Sequence, residues 1–144
     1  MSSAIPQNEL ARLKERVLRA VLTNQPLPGS DHPLNFPDRA FVLNEPAIYL
    51  LDNDIKTDVK VEGLDGPVQL ISNETLAKQQ EASGKVVFLQ FRTSHISENS
   101  LNLRLDVKVQ SAGGRQSSLT SMEMKFARLG DEWQMMDEPT SLSA

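Results

Sequence analysis

The chain predicts an α+β fold in which a curved antiparallel sheet, ending in a four-strand C-terminal meander, wraps a long N-terminal helix. Three observations carry that expectation. Residues 101–109 alternate without exception: Leu101, Leu103, Leu105, Val107 and Val109 fall on one face, and Asn102, Arg104, Asp106 and Lys108 on the other. A period of two is that of a strand with one dry and one wet face, the pattern of an antiparallel sheet covered on one side. Residues 7–23 carry Leu10, Leu13, Val17 and Val21 at helical spacing. The two lengths then constrain each other. The strand is about 30 Å long and the helix about 25 Å, so one helix covers such a sheet only in part. A sheet left partly bare curls around its helix or pairs with a second copy.

The elements follow in order. In the first helix, Ala11, Leu18 and Leu22 widen the apolar stripe, while Glu9, Arg12, Glu15, Arg16 and Arg19 fall largely outside it. Glu15 and Arg19 form a favourable i,i+4 pair. The basic tilt of that polar face suits either solvent or an acidic partner. Asn24 and Pro26 supply the stop. Residues 25–38 contain Pro26, Pro28, Pro33, Pro37 and Gly29 and predict a surface loop. Short strands are expected at 41–43 and 47–51, then at 58–61 and 67–71 on either side of a glycine-containing turn. Ser72 and Gly84 bracket a short helix over 73–82. The meander then comprises 85–93, 101–109, a strand bearing Met122, Met124 and Phe126, and 132–137. Its turns fall at 112–115 and at Gly130 and Asp131. On the first of these strands Val87, Leu89 and Phe91 share one face, and Val86 and Phe88 the other. The whole reads as one domain over 1–144, with 1–6 and 138–144 as flexible ends.

Composition excludes several functions. The 144 residues carry a net charge of −4, which argues against nucleic acid and anionic membranes, both of which draw on clustered Lys and Arg. Cysteine is absent, so disulfides, thiolate metal sites and a cysteine nucleophile are all ruled out. The opening residues lack the basic and apolar regions of a signal peptide, and no apolar run is long enough to span a bilayer. A cytoplasmic location is the expectation.

Few residues carry chemistry. Tyr49 is the single tyrosine, and with Asp52 or Asp54 as base it forms the minimal pair of a small-molecule isomerase or a dehydratase-type lyase. His32 and His95 have no second histidine at ligand spacing, so no zinc site is expected. Asp52 and Asp54 begin like a calcium loop, but Lys56 occupies the next ligand position. Gly113, Gly114 and Arg115 lack the strand-to-helix context of a phosphate loop. Met122, Met124, Met135 and Met136 suit core packing or an adaptable surface, and Trp133 suits a core anchor. No cofactor and no metal are expected.

The order of elements resembles the nuclear transport factor 2-like (cystatin-like) superfamily. The likeness rests on the short helix between 68–71 and 86–93, on the long meander, and on the closing hairpin 126–135 with Gly130 in its turn and Trp133 in its last strand. Segment 76–91 is also similar to uncharacterised bacterial members of that fold. The likeness departs at 25–38, where members commonly have another helix. It implies a cone-shaped sheet around the first helix and, in the enzymes of the superfamily, acids and bases on the inner wall. Here that wall is Val87, Leu89, Phe91, Leu101, Leu103, Leu105, Met122 and Met124, none of which transfers a proton. The expectation is therefore a non-catalytic binding or interaction protein that forms a homodimer through its sheet and takes an apolar small molecule or a protein partner.

Overall fold

The computed structural model describes residues 7–27, 39–45, 47–52, 55–61, 63–64, 66–94, 97, 99–130, 132–136 and 140–143. The first helix, α1 (Gln7–Thr23), buries Leu10, Leu13, Val17, Leu18, Val21 and Leu22, as its stripe requires. Asn24 ends it in the left-handed region at φ 56, and the Gln25 N–H closes back onto the Ala20 carbonyl at 3.0 Å. That six-to-one bond satisfies a carbonyl left over by the last turn.

Residues 41–43, expected as a strand, instead lie in a short helix, α2 (Arg39–Leu43). Three consecutive apolar residues carry no period that separates strand from helix. Here only Val42 turns fully inward while Phe41 stays 39 % exposed. Arg39 Nε donates to the Leu22 carbonyl at 3.0 Å, tying α2 to the end of α1.

The sheet is strongly curled and mixed, which corrects the expectation of a purely antiparallel one. Strand β1 (Tyr49–Leu51) pairs in parallel with β2 (Gln69–Leu70) on one side and with β3 (Val86–Ser94) on the other. The strands expected at 58–61 and 67–71 shrink to β2 and an isolated antiparallel bridge between Val59 and Val68. Gln69 and Ile71 spend their N–H groups on the carbonyls of Ile48 and Leu50, so this segment joins β1. Parallel strands need a crossover, and α3 (Asn73–Ser83) carries the chain from β2 past β1 to β3. Ser72 Oγ accepts from the Thr75 N–H at its start, and Gly84, at φ 85, donates to the Gln80 carbonyl at its end. Both caps are those read from the sequence.

From β3 the chain meanders through β4 (Ser100–Ser111), a short turn with left-handed Gly113 and Gly114, β5 (Arg115–Leu129) and β6 (Glu132–Met135). Strand order is β2-β1-β3-β4-β5-β6. Thr140–Ser143, within the stretch read as a frayed end, form β7 and pair with Thr120–Glu123 of β5. A register shift between Val107 and Lys108 leaves Leu119 bulged and 37 % exposed.

The alternation of β4 holds on its apolar side. Leu101, Leu103, Leu105 and Val107 are 0–1 % exposed, packed with Val87, Leu89, Phe91, Met122, Met124 and Phe126 beneath α1. Each of these aliphatic side chains contributes roughly 1.5–3 kcal/mol by its burial. A smaller core lies on the outer face, where Ile71 and Leu76 cover Val86 and Phe88, with Tyr49 and Leu51 at its margin. The second apolar face of β3 is thus the seat of the crossover helix.

Candidate functional site

Strand β1 stops opposite Gln90, while β3 runs on to Ser94. The step leaves a cleft of about 410 Å³ lined by Lys14, Leu51, Asp52, Asn73, Gln90, Phe91, Arg92 and Thr93. Asp52 lies two residues beyond inward-facing Leu50, so its side chain points toward α1. There Lys14 Nζ meets Asp52 Oδ1 at 2.7 Å, with the two side chains only 4 % and 2 % exposed. The other oxygen, Oδ2, accepts the Ile55 N–H at 2.9 Å. Lys14 Nζ also stands 5.8 Å from the centre of the Phe91 ring, a cation–π distance. Both carboxylate oxygens are engaged, one of them by a cation. This is the arrangement of a latch between helix and sheet rather than of a base awaiting a proton.

Tyr49 does not join Asp52. Positions three apart on a strand face opposite ways, and Tyr49 packs against the small outer core with Ile71, Leu76, Val86 and Phe88. The sheet itself separates the phenol from the carboxylate. Asp54, His32 and His95 lie outside the described residues. Among those described, no group of three or more His, Cys, Asp or Glu side chains is placed to hold a metal ion, and no helix is long and apolar enough to cross a membrane. Trp133 is a core residue at 4 % exposure, Met122 and Met124 are fully buried, and Met136 is 55 % exposed.

Two charged residues escaped the sequence reading. Lys14 sits beside Leu13 and Val17 within the apolar face of α1, and that position was its only signal. Asp106, expected in solvent on the wet face of β4, is 0 % exposed. It lies mid-sheet between Gln90 of β3 and Ser121 of β5. Arg104 Nε donates to its Oδ1 at 3.0 Å, Ser121 Oγ donates to the same oxygen, and Arg92 Nε stands 2.9 Å from Oδ2. Arg104 Nη2 in turn donates to Ser121 Oγ at 3.0 Å. A carboxylate flanked by strands on both sides and roofed by two long arginines loses water even on a polar face. Its charge is offset by the guanidiniums above it.

Comparison with protein-family models, with curated proteins and with solved structures finds no match to this chain.

Proposed function

We propose that this chain is a non-catalytic binding or interaction domain, a cytoplasmic member of the nuclear transport factor 2-like cones that pairs with a second copy through the outer face of its sheet. One observation carries the non-catalytic reading: Asp52, the carboxylate buried at the rim of the inner wall, has both oxygens occupied by Lys14 and the Ile55 N–H. The rest of that wall is mainly aliphatic, aromatic or thioether, joined by Thr93 and Thr120 opposite inward-facing Leu103 and Val107. Leu13, Val17 and Val21 of α1 belong to one buried core with Leu103, Leu105 and Met122 of the sheet. That favours a protein partner at the surface over an apolar small molecule held inside.

The dimer reading rests on uncovered area. Strands β4 and β5 run for 12 and 15 residues, and among the described residues the apolar cover on the outer face lies around Val86 and Phe88. Arg92, with half its side chain in water, lies on the uncovered part. Light scattering coupled to size exclusion tests this reading directly. A particle of twice 16.0 kDa is expected, reverting toward the monomer in Arg92→Glu. A monomer at every concentration removes the dimer. Measurable isomerase or lyase turnover that Asp52→Asn abolishes without unfolding the chain removes the non-catalytic reading.

A further inference from the structure

The N-terminal part of α1 meets the β5–β6 hairpin across a cleft of about 350 Å³. Three guanidiniums border it. Arg12 and Arg16 stand one turn apart on the same side of α1, the spacing at which helical side chains are neighbours, and Arg128 enters from β5. Among the described residues neither Arg12 nor Arg16 has an ion-pair partner.

Arg128 is held in place from two sides. Its Nη2 reaches Glu9 Oε1, the oxygen that also accepts the Trp133 indole N–H at 2.7 Å, and its guanidinium lies 5.0 Å over the Trp133 ring. Glu9 and Trp133 therefore fix the plane of the fork. They leave its Nε–H buried with no acceptor among the described residues. That Nε–H is sealed from solvent, whereas the side chain as a whole is 26 % exposed, so an anion in the cleft meets the charge of the fork rather than this donor. The cleft bears three guanidiniums against the carboxylates of Glu9 and Glu132, in a chain whose total charge is −4. Glu9 is already committed to Arg128 and Trp133.

We propose that this cleft binds a phosphate monoester. A phosphate presents three terminal oxygens in different directions, enough to face the two helix arginines on one side and Arg128 on the other. A carboxylate presents two oxygens in one plane and suits a single fork. The cleft, at about 350 Å³, exceeds the volume of a phosphate group. The site lies apart from the outer sheet face and does not depend on the dimer.

The test is a titration of the full chain with phenyl phosphate and with inorganic phosphate at constant ionic strength, followed by NMR. Trp133 is the single tryptophan, so its indole resonance reports the cleft directly. Saturable shifts are expected at that indole, at the Leu13 amide and at the Arg128 side chain, with half-saturation at about 1–10 mM. Arg12→Gln/Arg16→Gln, which removes no described contact, is expected to weaken binding at least ~10-fold at an unchanged melting temperature. Arg128→Lys, which keeps the charge and loses the fork, is expected to weaken it comparably. Absence of saturable shifts, equal binding by the double variant, shifts reproduced by chloride, or benzoate binding as tightly as phenyl phosphate would each overturn the assignment.

Discussion

The Lys14–Asp52 pair can be tested as a buried ion pair by a double-mutant cycle. Lys14→Met keeps the aliphatic stem and removes the ammonium; Asp52→Asn keeps an acceptor for the Ile55 N–H and removes the charge. With the two side chains 4 % and 2 % exposed, either single change strands a charge away from water. Breaking such a pair from one side costs about 3–5 kcal/mol. Removing both charges leaves no stranded ion, and replacing buried pairs by uncharged groups is often neutral or stabilising. The double variant is therefore expected within about 2 kcal/mol of the parent, the residue being the weaker cap on Ile55 and the lost contact with Phe91. The coupling energy is then about 4 kcal/mol or more. Urea unfolding followed by Trp133 fluorescence measures each corner of the cycle. In a chain of this size about 3–5 °C accompanies each kcal/mol, so each single variant should melt roughly 10–20 °C lower. Single variants within ~1 kcal/mol of the parent would mean that the pair is solvated. A double variant worse than either single would mean that the two side chains contribute independently of each other. Either result refutes the coupled buried pair.

Other variants probe other parts of the molecule. Leu103→Asp places a charge at a position with no exposure and should leave no cooperatively folded protein by circular dichroism; a soluble, fully folded variant would overturn the inward face of β4. Asp106→Ala should cost about 1–3 kcal/mol in urea unfolding, because the lost bonds involve charged partners. Arg92 and Arg104 are 51 % and 35 % exposed and can turn into water, which keeps the loss below that expected for Lys14→Met; an equal or larger loss would show that they cannot. Gly84→Ala forces a side chain into φ 85 and should cost about 1 kcal/mol, as should Ser72→Ala at the other end of α3. If neither moves the unfolding midpoint, the caps of the crossover helix are not what holds it in place.

Much of the fold was legible because period and punctuation agreed. Ser72 and Gly84 marked α3 at both ends, Asn24 marked the end of α1, and β4 alternated through its whole apolar face. Parallel pairing was not legible. Nothing in Tyr49, Leu50 and Leu51 says which neighbour they will take, since strand direction is set by where the chain returns. The return to β3 is made by α3, whose weak apolar face offers only Leu76 as a fully buried residue. The visible hint lay on β3, where Val86 and Phe88 make a second apolar face that something had to cover. Residues 41–43 failed for the opposite reason, being too short a run to carry any period.

The charged residues of the interior were harder to read, and for a physical reason that bears on function. A sequence displays a charge as polar and assigns it to water, yet burial of a charge depends on a partner that may be far along the chain. Lys14 and Asp52 are 38 residues apart, and Asp106 meets Arg92 and Ser121 only through strand register. Asp52 was therefore legible as a candidate base and illegible as half of an ion pair. The difference decides what it can do. A carboxylate already bonded to an ammonium and a backbone N–H can accept a substrate proton only by giving up a stabilising contact. The same logic separates the two clefts. Around Asp52 the carboxylate is spent on Lys14 and the Ile55 N–H, although Gln90 Oε1 on the same cleft has no hydrogen-bond partner among the described residues. Around Arg128 the fork is fixed by Glu9 and Trp133, and beside it Arg12 and Arg16 border the cleft with no ion-pair partner among the described residues, which leaves cations that an anionic ligand can use.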